Sequence, residues 1–314
     1  RGNVKDVDGL WESLKSGSYS GNVMEALSGG LRGAIVAAPG HELYVADYVG
    51  IEARVLMWLA GEERTLEFFR TGGDLYLDMA QTIFGYPCTK EEHPLERGCG
   101  KAAILGLGYQ MGWERFIDAA WTLGQVRIDE ATSKRTVEAY REKYWRVKQM
   151  WWKMQEAAMD AVECPDGETG GPGTMWRVEG RFLYCTLPSG RRLAYPDSEI
   201  RLRDTPWGER RPALSFMGMD QHKHKWLRQS TYGGMLVENV TQAIARDLMA
   251  AALLQLEHSG IYRPVLSVHD ETVAEASMGT GDLASYLRIL THLPDWADGC
   301  PIAAEGFVTT RYRK

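Results

Sequence analysis

Two aspartates far apart in the chain, Asp47 and Asp270, lie in settings that predict two halves of one metal site. Asp47 ends an extended apolar run, and Asp270 lies in a short turn between two apolar runs. A strand end and a tight hairpin can bring both carboxylates to one edge of a sheet. Such a pair can hold two Mg²⁺ ions about 3.5–4 Å apart, an arrangement that suits in-line phosphoryl transfer. Taken singly, each aspartate is also explained as a turn former.

A third element, between the two aspartates, carries two cations and a tyrosine at helical spacing. Arg97, Lys101, Leu105 and Tyr109 follow one another at intervals of four. On an α-helix they would stay on one face and span about 18 Å, a length comparable to an extended nucleoside triphosphate. The cations, nearer the N-terminal end, are expected to meet phosphates, with a surface for sugar and base beyond them. An ordinary amphipathic helix with two solvated cations is the alternative.

The elements that must position these residues alternate between strand-like and helical patterns. Strands are predicted around a turn at 38–40 within 31–48, around 188–190 within 175–195, over 264–275, and in the final tail. Apolar spacing predicts helices over 50–70, 74–83, 92–120 (irregular at 106–108), 237–256 and 281–293, and one long helix or a helix pair over 128–162. Residues 196–230 are expected to form a loop. Strand-rich ends around a helical insertion predict an α+β fold.

Composition indicates a globular protein with more than one subdomain. The chain has 314 residues, of which 44% are hydrophobic and 25% charged. No apolar run approaches the ~18 residues of a membrane span, so no membrane partner is expected. Five cysteines without a C-x2-C pair argue against a zinc cluster and for a reduced intracellular setting. The chain begins without methionine, so a fragment of a longer protein is expected.

Charge and aromatic residues each leave two interpretations open. The net charge is −6, yet residues 191–228 hold nine Lys or Arg against five Asp or Glu. That local excess is either a phosphate-binding patch or a solvated charged loop. The Trp- and Tyr-rich stretch 128–162 is either packing core or a base-stacking surface.

These residues resemble the motifs of family A DNA polymerases, the group that includes bacterial DNA polymerase I. Residues 47–54 resemble motif A, residues 97–109 resemble motif B on the fingers helix, and residues 268–271 resemble motif C. Further matching segments are 140–144, 187–192 and 238–243. The last of these, with 232–234 and 311–314, is similar to the bacteriophage branch. The resemblance covers nearly the whole chain, and its three motifs occur in the family's order.

The resemblance implies roles for the acidic residues. Asp47 and Asp270 are expected to ligate two Mg²⁺ ions, assisted by the main-chain carbonyl of Tyr48. Glu271 is expected beside the primer terminus. Glu52 is expected to be the steric gate, which fills the space of a ribose 2′-hydroxyl and so favours deoxynucleotides.

The resemblance also implies how nucleotide and DNA are bound. Arg97 and Lys101 are expected to hold the triphosphate, and Lys101 to protonate the departing pyrophosphate. Tyr109 is expected to stack near the templating base. Gln242 and His269 are expected to contact the minor groove of the primer–template duplex.

Three positions depart from the family pattern. Leu105 stands where an aromatic residue is usual, so its contact with the sugar is in question. Gln110 replaces the glycine that normally follows the motif B tyrosine. Tyr76 stands where a phosphate-binding histidine often lies, and it is included among the candidate nucleotide contacts.

The predicted protein is therefore a template-directed DNA polymerase core that extends a primer 3′-hydroxyl and releases pyrophosphate. The expected architecture is an antiparallel palm sheet with a large helical fingers insertion, a right-hand polymerase without its thumb. Predicted domains are palm at 1–55, fingers and connecting hairpin at 56–230, and palm at 231–314. Expected partners are primer–template DNA and deoxynucleoside triphosphates, in the host cytoplasm if a phage encodes the chain.

Two other functions stay open at this point. A single-subunit RNA polymerase is the nearest enzymatic alternative, and Glu52 and Glu271 favour DNA synthesis over it. A non-catalytic DNA- or nucleotide-binding fragment is the second alternative, motivated by the short front end and by Leu105 and Gln110. The sequence names no protein partner.

Overall fold

The computed structural model describes residues 6–204, 208–220 and 223–312. Arg313 and Lys314, from the segment 311–314, lie outside the described residues, as do 205–207, 221 and 222 of the basic stretch. The α-helices of the described part are α1 (Val7–Ser16), α2 (Val23–Gly30), α3 (Ile51–Ala60), α4 (Glu63–Arg70), α5 (Leu75–Phe84), α6 (Pro94–Gly106), α7 (Trp113–Gly124), α8 (Glu130–Lys143), α9 (Trp145–Glu163), α10 (Gly233–His258) and α11 (Leu283–Leu290). Its strands are β1 (His41–Tyr48), β2 (Thr169–Gly171), β3 (Thr174–Glu179), β4 (Phe182–Thr186), β5 (Arg192–Pro196), β6 (Glu199–Asp204), β7 (Arg210–Asp220), β8 (Lys225–Ser230), β9 (Arg263–Val268), β10 (Glu271–Ser277) and β11 (Ala304–Thr309).

The chain divides into two compact units. The first comprises residues 1–49, 248–292 and 302–314, and the second comprises residues 50–247 and 293–301. Mixed helices and antiparallel sheets confirm the predicted α+β class. The sequence placed domain bounds at 55/56 and 230/231, and the names palm and fingers stay predictions.

The first unit is built on a four-stranded antiparallel sheet in the order β11-β1-β10-β9. One face packs Leu43, Val45, Val273 and Tyr312 into an apolar cluster. The other face carries three tyrosine rings, Tyr44, Tyr262 and Tyr286, with centroids 5.0–5.5 Å apart. Both faces of β1 are therefore covered, which accounts for the continuous apolar run that precedes Asp47.

The second unit is mainly helical, with two small antiparallel sheets in the orders β2-β3-β4-β5 and β6-β7-β8. Local sequence explains its helix ends. Asp74 caps α5 by accepting hydrogen bonds from the amides of Tyr76 and Leu77, and α5 ends at Gly85 with φ 78°. Glycine lets α6 approach its neighbour closely, because a Cβ at Gly100 would lie 2.1 Å from the Tyr76 carbonyl oxygen.

The predicted strand pair within 31–48 is wrong in its first half. Residues 32–34 form a short 3₁₀ turn, and only an isolated bridge joins Val36 to Arg311. Strand β1 is paired along both edges, by β10 and by β11. A sheet strand has only two hydrogen-bonding edges, so no edge of β1 remains for residues 31–37 to pair with.

The predicted loop at 196–230 is also wrong, because it contains β6, β7 and β8. The predicted hairpin at 175–195 has the right turn at 188–190 but a second turn at Gly180, where φ is 60°. The helical stretch predicted at 50–70 is divided into α3 and α4 at Gly61. Of the two alternatives at 128–162, the structure has the helix pair, α8 and α9, divided at Tyr144. The remaining predicted helices agree with α5, α6, α7, α10 and α11 within a few residues.

Candidate functional site

The first unit brings Asp47 and Asp270 to the same end of its sheet. Asp47 is the residue of β1 that pairs with Glu271 of β10, and Asp270 lies in the two-residue turn just before Glu271. The amide of Tyr48 donates a hydrogen bond to the carbonyl oxygen of Asp270 at 3.1 Å. That bond fixes the turn against the end of β1, so the main chains that carry the two aspartates are neighbours.

This pair fits the donor chemistry of Mg²⁺. Magnesium takes hard oxygen ligands and commonly uses one or two carboxylates, with water and phosphate oxygens in its other positions. Both aspartate side chains are partly accessible to solvent. Within the described residues no cluster of three or more His, Cys, Asp or Glu side chains could hold a metal. Asp47 and Asp270, with the Tyr48 carbonyl, stay the predicted ligands of the ions.

Glu271 has a different environment from the aspartate beside it. Its side chain is only 2% exposed and accepts a hydrogen bond from the Tyr312 hydroxyl. Burial, followed by this hydrogen bond, raises the pKa of Tyr312 to about 12, so the phenol stays a donor at neutral pH. Arg311 donates to the carbonyl of Gly33 and, at 3.0 Å, to Asp8. Tyr312 therefore holds the first residue of β10, directly after Asp270.

Helix α6 carries both Arg97 and Lys101, and the two side chains differ in their ion pairing. Arg97 donates a hydrogen bond from Nε to Asp74 at 2.9 Å, and its Nη2 forms a salt bridge with the same carboxylate at 2.9 Å. Its guanidinium lies 5.3 Å from the Tyr76 ring centroid. Lys101 is half-buried and, in the part of the chain that the structure describes, forms no ion pair with a carboxylate. Sequence reasoning missed Asp74 as the partner of Arg97. The sequence showed only that Asp74 lies directly before a helical stretch, a position typical of a helix N-cap.

Tyr109 does not continue the helix that carries Arg97 and Lys101, contrary to the predicted helical spacing. Helix α6 ends at Gly106, and Tyr109 ends a 3₁₀ turn, Leu107–Tyr109. The indole Nε1 of Trp151 donates to the carbonyl of Gly108 at 2.7 Å, which holds this turn. Trp151 is thus buried packing, as one interpretation of the aromatic stretch predicts.

The Tyr109 hydroxyl donates a hydrogen bond to Glu52 at 3.1 Å. Burial, followed by the charge of Glu52, raises the pKa of Tyr109 well above its ordinary value. Tyr109 therefore remains a protonated donor that orients the Glu52 carboxylate. The predicted gate residue and the predicted stacking residue form one hydrogen-bonded unit.

A second carboxylate, Glu238 on α10, interacts electrostatically with Glu52 and was not among the predicted site residues. Burial, followed by the charge of Glu52, raises the pKa of Glu238. Glu238 lies one turn after Gly234, where an added Cβ would be 2.4 Å from the Tyr109 carbonyl oxygen. The face of α10 that bears Glu238 therefore packs against Tyr109. Gln242 lies one turn further and is exposed.

Gln110 joins the end of this turn to α10. Its backbone is left-handed, with φ 66°, and its Oε1 accepts a hydrogen bond from the amide of Gly234 at 3.0 Å. The amide of Gly233 is bound in the same way by Gln155 of α9, at 3.0 Å. Two amides in the first turn of a helix have no partner within it, so two glutamines from other elements cap α10. Gln110, which departs from the glycine of the family pattern, thus forms a side-chain hydrogen bond to α10. It does so at a position whose left-handed backbone favours glycine.

We expect Gln110→Ala to lower the free energy of unfolding by about 1 kcal/mol, the usual size of a lost cap. Gln110→Gly is expected to stay within about 0.5 kcal/mol of wild type. Glycine loses the same hydrogen bond but relieves a left-handed backbone that costs other residues about 1 kcal/mol. Denaturant unfolding of the two variants measures the difference.

Gln125 provides the matched control for Gln110. Its φ is 57°, and its carboxamide donates only to carbonyls of its own helix, those of Trp121 and Thr122. If Gln110→Ala lowers the free energy of unfolding no more than Gln125→Ala does, the hydrogen bond from Gly234 to Gln110 contributes nothing to stability.

His269 and Tyr76 complete the predicted set. His269 is exposed in the β9–β10 turn with φ 57°, and Leu105 and Tyr76 are half-buried in the second unit. A cavity of about 600 Å³ between α9 and β2 contains none of the predicted residues. In the described residues, no helix is long and apolar enough to cross a membrane.

Comparison with known proteins gives one consistent family. A family model described as DNA polymerase family A matches residues 22–164. A DNA polymerase of Bacillus phage SP02 is 38% identical over 320 residues, covering 99% of this chain and 48% of the phage protein. The thermostable DNA polymerase I of Thermus aquaticus is 26% identical over 250 residues, covering 78% of this chain and 24% of that protein. This chain thus spans about half the length of the phage relative and about a quarter of the Thermus protein.

A solved structure resembles the fold. It is the POL domain of Pol1 from M. smegmatis in complex with DNA primer-template and dNTP, with a TM-score of 0.54 and 21% identity. The match covers 90% of this chain and 42% of that one. At this level of identity the likeness concerns the fold alone.

Proposed function

Because this chain belongs to DNA polymerase family A, we propose that it carries the catalytic core of a template-directed DNA polymerase. The observation that carries the proposal is the juxtaposition of Asp47 and Asp270 at one end of an antiparallel sheet. In this proposal the sheet of the first unit is the palm and the helices of the second unit are the fingers. Primer–template DNA and deoxynucleoside triphosphates are the substrates.

The proposed reaction joins the primer 3′-oxygen to the α-phosphorus of the nucleotide and breaks the bond to the β-phosphate. Bound Mg²⁺ supplies charge stabilisation for this transfer and lowers the pKa of the 3′-hydroxyl. Asp47, Asp270 and the Tyr48 carbonyl hold and orient the ions. In this proposal Glu271 lies beside the primer terminus.

On α6, Lys101 and Arg97 bind the triphosphate. The Lys101 ammonium has no carboxylate partner among the described residues and transfers a proton to the leaving pyrophosphate. The guanidinium of Arg97 must exchange Asp74 for phosphate, and the accessibility of that ion pair makes the exchange feasible, with 26% and 31% of the side chains exposed. Tyr76 lies under the guanidinium in the present arrangement.

Sugar selection is proposed to depend on Glu52, held by Tyr109. Leu105 and Tyr109 face the sugar and base, and Gln242 and His269 contact the minor groove of the duplex. Filling or emptying a pocket by a small group changes selectivity by roughly 10- to 200-fold. We therefore expect Glu52→Ala to lower the preference for deoxy- over ribonucleotides by that factor. Glu52→Gln is the matched control, because it keeps the bulk and removes the charge.

Primer extension by the chain, with Mg²⁺ and either deoxy- or ribonucleotides, tests the function and the gate together. Extension with deoxynucleotides and strong rejection of ribonucleotides is the expected result. Equal use of both nucleotides by the wild type would favour an RNA polymerase and contradict the gate. No extension, with primer–template still bound, would favour a non-catalytic DNA-binding role.

A further inference from the structure

The three-stranded sheet β6-β7-β8 contains most of the basic stretch 191–228, which the proposed function does not use. One face of this sheet packs onto the second unit: Leu214 is fully buried, and Phe216 lies edge-on to Tyr195 with ring centroids 5.1 Å apart. Side chains alternate between the faces of a strand, so residues 211, 213, 215, 217 and 219 of β7 point the other way. That opposite face is exposed towards both ends of the sheet.

Arginines are concentrated at one end of the exposed face. Arg203 of β6 pairs directly with Arg211 of β7, and Arg201 lies two residues before Arg203 on the same face. Like charges directly opposite one another in a sheet are destabilising unless something neutralises them. Among the described residues no carboxylate forms an ion pair with Arg203. An anion at this position would remove the repulsion.

The carboxylates near these arginines do not block the face. Arg201 contacts Glu199 at 2.6 Å, and Arg211 contacts Glu209 at 2.8 Å. Both arginine side chains are more than half exposed, at 59% and 63%. Exposed ion pairs are weak, so either arginine can exchange its partner for a phosphate. Arginine also matches phosphate with two parallel hydrogen bonds.

An aromatic platform lies at the other end of the same face. Trp226 of β8 pairs with Met219 of β7, and the two side chains are 55% and 56% exposed. Met219 is the eighth residue after Arg211 in β7, a distance of about 27 Å along the strand. The face therefore combines arginines for phosphates with a flat ring for a base, over a length sufficient for several nucleotides.

We propose that this face of β6-β7-β8 binds single-stranded DNA through Arg201, Arg203, Arg211 and Trp226. Single-stranded DNA fits better than a duplex, because base faces inside a duplex are already stacked and cannot lie on Trp226. An acidic peptide would satisfy the arginines but would offer no base to the indole. In a polymerase, the strand held here would be the unpaired template.

Fluorescence anisotropy of a labelled oligo(dT), titrated at several salt concentrations, tests the proposal on the full chain. The double variant Arg203→Glu/Arg211→Glu is expected to weaken binding more than tenfold. It should also reduce the slope of log affinity against log salt by about 1.4, or 0.7 for each lost phosphate contact. Trp226→Ala is expected to weaken binding roughly 5- to 150-fold with the salt slope unchanged, the range for one stacked base.

The matched control is Arg177→Glu/Arg181→Glu, which makes the same charge change elsewhere in the second unit. Both of these arginines are exposed and ion-paired, Arg177 with Glu168 and Arg181 with Asp197. The charge-conserving variant Arg203→Lys/Arg211→Lys should keep the salt slope and lose less affinity than the glutamate variant, which separates loss of charge from misfolding.

Three outcomes would overturn the proposal. These are unchanged oligo(dT) binding by the double variant, an equal loss in the control variant, or an equal loss of affinity for a blunt duplex. Binding of oligo(dT) requires no nucleotide addition. Failure here would leave the polymerase assignment intact, and an inactive chain could still bind single strands.

Discussion

Asp47→Asn and Asp270→Asn are each expected to slow nucleotide addition about a thousandfold. Each change removes a charged ligand while keeping the size of the side chain. A metal ion supplies several kcal/mol of charge stabilisation to phosphoryl transfer, and a loss of roughly 4 kcal/mol corresponds to that factor. Single-turnover primer extension measures the rate. Primer–template affinity without nucleotide is expected to change much less.

The control for the aspartates is Glu257→Gln, an exposed carboxylate on α10 in the same unit. It should extend primers at the wild-type rate. Thermal unfolding should show that both aspartate variants remain folded, since each aspartate is partly exposed at a strand end. A variant that kept more than a tenth of the wild-type rate would show that its aspartate is not a metal ligand.

Lys101→Arg is expected to lower kcat about a hundredfold and to leave KM for the nucleotide nearly unchanged. Arginine keeps the positive charge that binds the triphosphate. It cannot release a proton at neutral pH, and positioned general acids contribute 10²- to 10⁴-fold. Lys101→Ala should in addition raise KM, because it also removes the charge. The comparison separates proton donation from electrostatic binding.

Lys90→Arg is the control for Lys101, because Lys90 is an exposed lysine outside α6. No change in kcat or KM is expected there. If Lys101→Arg retains the wild-type kcat, Lys101 acts only as a charge, and the proton must reach pyrophosphate from elsewhere. Steady-state and rapid-quench measurements with one nucleotide are sufficient.

The sequence predicts local structure best where local residues determine it. The helix α5 could be predicted because apolar spacing continues from Asp74 to Ile83, and Asp74 itself caps that helix. The apolar strands around Asp47 and Asp270 could be predicted for the same reason. Their pairing followed from the motifs, and the register Asp47 to Glu271 confirms that they are neighbours.

The strands β6 to β8 could not be predicted from apolar alternation. Their exposed face carries charges such as Arg203 and Arg211, and their packed face includes exposed residues such as Leu202 near the sheet end. The resulting pattern resembles a charged loop. Pairing along the whole length of β7 stabilises these strands, and pairing partners are not visible in a strand's own sequence.

The candidate site shows the same division. Asp47, Asp270 and Lys101 were identified from motifs, but the partners of other residues come from distant segments. Arg97 is bound by Asp74, 23 residues earlier in the chain, and Gln110 by Gly234, 124 residues later. Such contacts depend on tertiary packing, and no local pattern encodes them.

The hydrogen bond from Tyr312 to Glu271 has a practical consequence for interpreting variants of this segment. Tyr312 is nearly fully buried, and the adjacent Arg311 is held by Asp8 and Gly33. A substitution at Tyr312 would remove the donor to Glu271 and disturb the strand that follows Asp270. A loss of activity in such a variant would therefore report on packing, and not on a chemical role of the tyrosine.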